Sequence, residues 1–134
     1  MHAIISLLLN EGRVSMAKIE AKLRAKVEEL SEAIKDQVLS ASASAHLEDY
    51  SEFKMGDASC FTYVFERYSY IGSNRVSMSV TLFEKEDHIL LSAISSGGSE
   101  AIFFKINTFG EEAFLDTLRP LLDDYQAERI DSSN

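Results

Sequence analysis

Three strand-type runs follow one another almost without interruption: "CFTYVFERYSY" (60–70), "RVSMSVTLF" (75–83) and "ILLSAIS" (89–95), separated only by "IGSN" and "EKEDH". A parallel pair of strands needs a crossover of a dozen or more residues, usually a helix, and neither gap can hold one. The chain must therefore double back at each gap, which makes an antiparallel meander and excludes a doubly wound parallel sheet. In the middle run Val76, Met78, Val80 and Leu82 alternate with Arg75, Ser77, Ser79 and Thr81. Side chains on a strand point alternately to opposite faces, so this sheet has one dry face and one wet face.

The flanks supply the cover. Ile19, Leu23, Val27, Leu30, Ile34 and Val38 recur at steps of three and four, which predicts one amphipathic helix from Ala17 to about Leu39. In "SASASAHLED" Ala43, Ala45 and Leu47 alternate with polar residues and read as a first strand. "EAIFFKI" (100–106) reads as a fifth. Gly97-Gly98 suits a two-residue hairpin loop, where both positions require positive φ; this would pair Ala93 with Ile102, Leu91 with Phe104 and Ile89 with Ile106. Thr108 with Glu111 has the capping-box pattern of a helix start, and Phe114, Leu118, Leu121, Leu122 and Tyr125 form its apolar stripe. Pro120 lies inside that stripe, and an interior proline costs about 3 kcal/mol, so a kink or break is expected near Leu118 to Arg119. The expected architecture is α+β: an N-terminal helix, an antiparallel meander of four to five strands, and a C-terminal helix broken near Pro120, with both helices on one face.

At 134 residues, 46% of them hydrophobic, the chain suits a single core. The domain is expected over 16–129, with 130–134 a frayed tail. Residues 1–15 read as an upstream extension that is non-native or disordered. Glu11-Gly12-Arg13 can be encoded by a purine run placed as a ribosome-binding site would be before Met16, which leaves two candidate starts, Met1 and Met16. The apolar segment Ala3 to Leu9 is too short for a membrane span and lacks the flanks of a signal peptide. A net charge of -9 without any Lys/Arg run argues against nucleic acid. The single cysteine, Cys60, precludes an intrachain disulfide and fits a reducing, cytoplasmic setting.

The glycine pairs do not make a phosphate cradle, because a strand and not a helix follows them. Neither do His46, His88 or Cys60 show metal-ligand spacing, and no G-x-S-x-G elbow surrounds a serine. Catalytic residues, metal ligands and cofactors are accordingly not expected. "FERYSY" is the stretch that needs an explanation. Adjacent strand residues face opposite ways, so either Glu66 or Arg67 must turn toward the dry face, and the length of the "IGSN" turn decides which. A charge there must be paired or lie near a cavity. Glu66, Arg67, Tyr63, Tyr68 and Tyr70 are thus the candidate ligand-binding residues.

The stretches "ERYSYIGSNRVSMSVTLF" and "SAISSGGSEAIFFKINTFGEEAFLDTL" resemble a family of small, mainly Firmicutes proteins classed as a domain of unknown function. That resemblance implies a cytosolic single-domain protein and no particular reaction or ligand. Two functional classes follow from the residues. One is a non-catalytic interaction module, homodimeric through a sheet face or edge; the other is a small-ligand-binding protein or enzyme with a pocket near Glu66 and Arg67.

Overall fold

The computed structural model describes residues 16–68, 75–97 and 104–130. The elements run β1 (Met16–Arg24), α1 (Val27–Ala41), β2 (His46–Met55), β3 (Ala58–Tyr68), β4 (Arg75–Lys85), β5 (His88–Gly97), α2 (Phe104–Asp116), α3 (Arg119–Asp124) and β6 (Glu128–Arg129). The strands form one antiparallel sheet in the order β2-β3-β4-β5-β1-β6. The α+β class and the meander β2 to β5 are as the sequence suggests. The described strands number six, however, not four to five.

The largest correction is at the start, where Met16–Arg24 is a strand and the helix begins only at Val27. Ala17, Ile19, Ala21 and Leu23 are buried while the charged residues between them are not, a period of two. Ile19 and Leu23 are four apart, so they satisfy a strand and a helix equally. Val27, Leu30, Ile34 and Val38 do form the buried stripe of α1. The N-cap residue Lys26 has extended backbone at φ -83 and no side-chain cap. Instead the Val27 N–H donates to Glu84 Oε2 of β4 at 3.3 Å. A proline at position 26 discriminates between the two readings. In a continuous helix it would cost about 3 kcal/mol, whereas the observed φ lies close to the edge of a proline's range. Lys26→Pro is expected to change the unfolding free energy by less than about 1 kcal/mol in urea titration.

The corrected strand explains a second departure. Ile89, Leu91 and Ala93 do have apolar partners on the dry face, but these are Leu23, Ala21 and Ile19 of β1. With that edge of β5 occupied, Phe104 and Ile106 are helical, not a fifth hairpin strand, and Thr108 lies inside α2 instead of capping it. Gly97 is the last residue of β5, paired with Val76; Gly98 and Ile102 lie outside the described residues. The two-positive-φ loop exists elsewhere, at Glu86 (φ 55) and Asp87 (φ 63) between β4 and β5. "SASASAHLED" also divides: α1 runs to Ala41, and β2 begins at His46.

Both longer helices pack on the dry face. Val27, Leu30, Ile34 and Val38 of α1, and Phe114, Leu115 and Leu118 around the end of α2, join Phe61, Tyr63, Phe65, Val76, Met78, Val80 and Leu82 in one core. The helical segment breaks between Asp116 and Arg119, with Pro120 in the first turn of α3, where its missing N–H costs nothing. Residues 1–15 and 131–134, the expected extension and most of the tail, lie outside the described residues.

Candidate functional site

Position along the strands determines what the wet face displays. The register places Phe53 of β2, Cys60 of β3, Phe83 of β4 and Leu90 of β5 side by side in one row across the sheet. Phe53 is 69% exposed, Phe83 43% and Leu90 45%. A Ser/Thr row, Ser51, Thr62, Thr81 and Ser92, follows, and the next row brings Val64 and Ile94. An exposed phenylalanine alone would be ordinary; a row of apolar side chains spanning four strands is a patch. A shallow depression of about 290 Å³, lined by Lys22, Phe83, Lys85, His88 and Leu90, lies at its end.

The face divides the residues singled out in "FERYSY". Arg67 pairs with Val76 and shares its dry face, while Glu66 pairs with Ser77 on the wet one. The guanidinium of Arg67 lies over the Phe114 ring, 4.5 Å from its centroid, so a charge that the pattern buries is held against an aromatic face. Tyr63 is fully buried and donates its phenol hydrogen to the Glu52 carboxylate. Burial, helped by the Glu52 carboxylate, pushes the phenol up to about 12, so it stays protonated. Tyr68 is exposed beside Arg75, its N–H donating to Ser44 Oγ at 3.1 Å. Tyr70 lies outside the described residues. Tyr63 and Arg67 therefore sit on one side of the sheet and Glu66 and Tyr68 on the other.

Glu66 belongs to a cluster that the sequence hides, because its members come from three strands. A bulge between Leu47 and Asp49 brings Glu48 to the side of His46, whose strand partner is Glu66. His46 Nε2 lies 2.7 Å from Glu48 Oε1, and the Arg75 guanidinium bonds both Glu48, at 3.0 Å, and Glu66. Hydrogen bonding to Glu48 raises the imidazole's pKa, and the same contact lowers that of the Glu48 carboxyl, with Glu66 as the next cause. One ligand atom from each of His46, Glu48 and Glu66 falls within 4.8 Å of the others, close enough for a divalent cation. Arg75 already spans the two carboxylates and offsets one of their two charges, so the cluster reads as an ion-pair network as it stands.

The other unusual carboxyl is buried. Glu111 of α2 is fully enclosed, and neither of its side-chain oxygens has a hydrogen-bond partner. It sits against Gly97, where a Cβ would come 2.3 Å from Oε1, so only glycine leaves the carboxyl its space. Burial, with the Glu112 charge as the smaller cause, pushes its pKa up to about 7. A cleft of about 190 Å³ beside β1 and α3 includes Arg119, Asp123 and Arg129 but neither Glu66 nor Arg67.

An antiparallel sheet with the two longer helices on one face and an apolar row on the other defines a small α+β domain. Its family follows from comparison with known proteins: the chain belongs to a family of unknown function, DUF6054, whose model matches residues 16–126. The match begins where β1 begins and ends just short of β6. No curated protein matches the chain. No helix among the described residues is long and apolar enough to cross a membrane.

Proposed function

We propose that this domain is a non-catalytic cytosolic interaction module that works as a homodimer, the uncovered sheet face of one copy packing on that of another. The observation that carries this reading is the row Phe53, Cys60, Phe83 and Leu90 on a face that no described helix covers. Size supports it as well. Five neighbouring strands of about ten residues present roughly 800 Å², the area each partner contributes to a stable complex of ordinary size. The single cysteine and strongly acidic composition accord with a reducing cytosol.

Phe83 is at the centre of the row yet outside the core, so it tests assembly without testing folding. Sedimentation equilibrium is expected to give a dimer for the wild-type chain and a monomer for Phe83→Arg, with unchanged circular dichroism and a thermal midpoint within a few degrees. Leu90→Arg should act in the same way. A wild-type chain that sediments as a monomer at 100 μM, about a hundred times a micromolar Kd, would overturn the proposal.

A further inference from the structure

Two adjacent rows of the wet face meet at the corner nearest the β4–β5 turn. Phe83, Leu90 and Lys22 stand side by side at the end of the apolar row, and the next wet row carries Lys85, His88 and Arg24. All six residues are exposed. The turn closes through two residues of positive φ, Glu86 and Asp87, and the Ala25 N–H donates to the Asp87 carbonyl at 3.1 Å, which ties the end of β1 to it. The depression of about 290 Å³ described above lies here, with Lys22, Lys85 and His88 around Phe83 and Leu90 and no carboxylate in its lining.

We infer that this depression binds a small amphipathic carboxylate, its apolar body on Phe83 and Leu90 and its charge held by Lys85 and His88, with Lys22 beside them. The inference goes beyond the dimer reading and does not depend on it, although Phe83 and Leu90 serve both. Its ground is the pairing of charges. In a chain of net charge -9, Lys18, Lys35, Lys54, Arg75 and Arg119 each hold a carboxylate. Among the described residues the side chains of Lys85, His88 and Arg24 have no hydrogen-bond or ion-pair partner, the turn acids Glu86 and Asp87 included. Lys22 has Glu128 for its strand neighbour but forms no ion pair with it. Unpaired cations gathered beside exposed apolar side chains attract an anion, and an anion with an apolar part also removes those side chains from water. Size and local structure narrow the class. The volume is at the lower limit of ordinary ligand clefts, about 300 Å³. Every lining residue belongs to a strand, so no helix start supplies the N–H groups that cradle a phosphate. Lysines act as point charges, which suffices for a single carboxylate.

Phenylpropionate and its uncharged analogue phenylpropionamide are suitable probes, titrated into fluorescently labelled full-length protein. A protein concentration of about 0.1 μM, a tenth of a micromolar dimer Kd, keeps the face free. Phenylpropionate is expected to bind with a Kd of about 1 mM, an ordinary efficiency for about 11 heavy atoms. The amide should bind about fivefold more weakly, since it lacks the charge that the lysines read. Combining Lys22→Gln with Lys85→Gln should weaken the acid alone and bring the two probes within about twofold of each other. Phe83→Ala should weaken both probes by a similar factor of about five. Equal binding of acid and amide to the wild type would overturn the site, as would a preference for the acid that survives the double substitution. Inorganic phosphate binding as tightly as phenylpropionate, or no binding of phenylpropionate up to about 10 mM, ten times the expected Kd, would overturn it as well. The two readings fail separately: a wild type that dimerises and ignores the probe sinks this inference alone, and a monomer that binds the probe sinks only the dimer.

Discussion

Replacing Glu111 by Gln is expected to stabilise the domain by about 3 kcal/mol at pH 8 and to leave it nearly unchanged at pH 4. Glu111 is fully buried without a hydrogen-bond partner, and its pKa rises from an ordinary 4.5 to about 7 in the folded chain. The folded state therefore keeps this proton while the unfolded state releases it, and the wild type must lose stability as pH rises from about 4.5 to about 7. Above that window the loss is complete and constant. A difference of about 2.5 pKa units corresponds to about 3 kcal/mol. Glutamine has the same shape and cannot ionise, so it removes the loss. Exposed carboxyls with lowered pKa, such as Glu28 and Glu48, act in the opposite direction, but they are common to both chains and cancel in the comparison. Urea titrations at half-unit steps between pH 4 and 8 provide the measurement. Parallel stability curves for the two chains would show that the carboxyl is not isolated as described.

The second large effect is at Phe114. Its ring is fully buried in the common core and also forms the surface on which the Arg67 guanidinium rests. Phe114→Ala should cost about 4 kcal/mol, the usual loss for a buried aromatic truncated to alanine, from a total that for domains of this kind is about 5–15 kcal/mol. Phe114→Leu should cost less than half as much, because it retains most of the volume. The contact with Arg67 can be measured separately by a double-mutant cycle with Arg67→Met, which preserves the aliphatic reach but not the charge. A coupling of about 1 kcal/mol is expected. A value near zero would mean that the guanidinium is held elsewhere and merely passes the ring.

What could be read from the sequence divides along physical lines. The meander was legible because Val76, Met78, Val80 and Leu82 repeat at two with no helix in the gaps, and a break at Pro120 follows from the missing N–H. β1 was not, since its apolar marks include two alanines and its larger pair, Ile19 and Leu23, are spaced four apart. Once that strand was read as helix, the edge of β5 seemed to need a partner, and "EAIFFKI" was the nearest apolar run. The polar residues followed the same rule. That either Glu66 or Arg67 must face the dry side was visible from alternation alone. The identity of the one that does was not, because it depends on pairing across a turn. His46, Glu48, Glu66 and Arg75 come together only through a bulge and two strand registers, and Glu111 reads in sequence as an ordinary first-turn acid.

The place of β1 in the sheet also bears on how the chain is made. Met16 pairs with Ser96 and Arg24 with His88, so β1, the first of the described strands to leave the ribosome, has no partner from the meander until its last strand follows. At ordinary rates of synthesis that interval lasts several seconds. An unpaired strand with two exposed edges can be captured by another chain during such a delay. Lys18, Lys22 and Arg24 on its wet side oppose that capture, since a like strand would bring the same cations alongside. The basic residues of β1 would thus protect the nascent chain before it has a sheet to join.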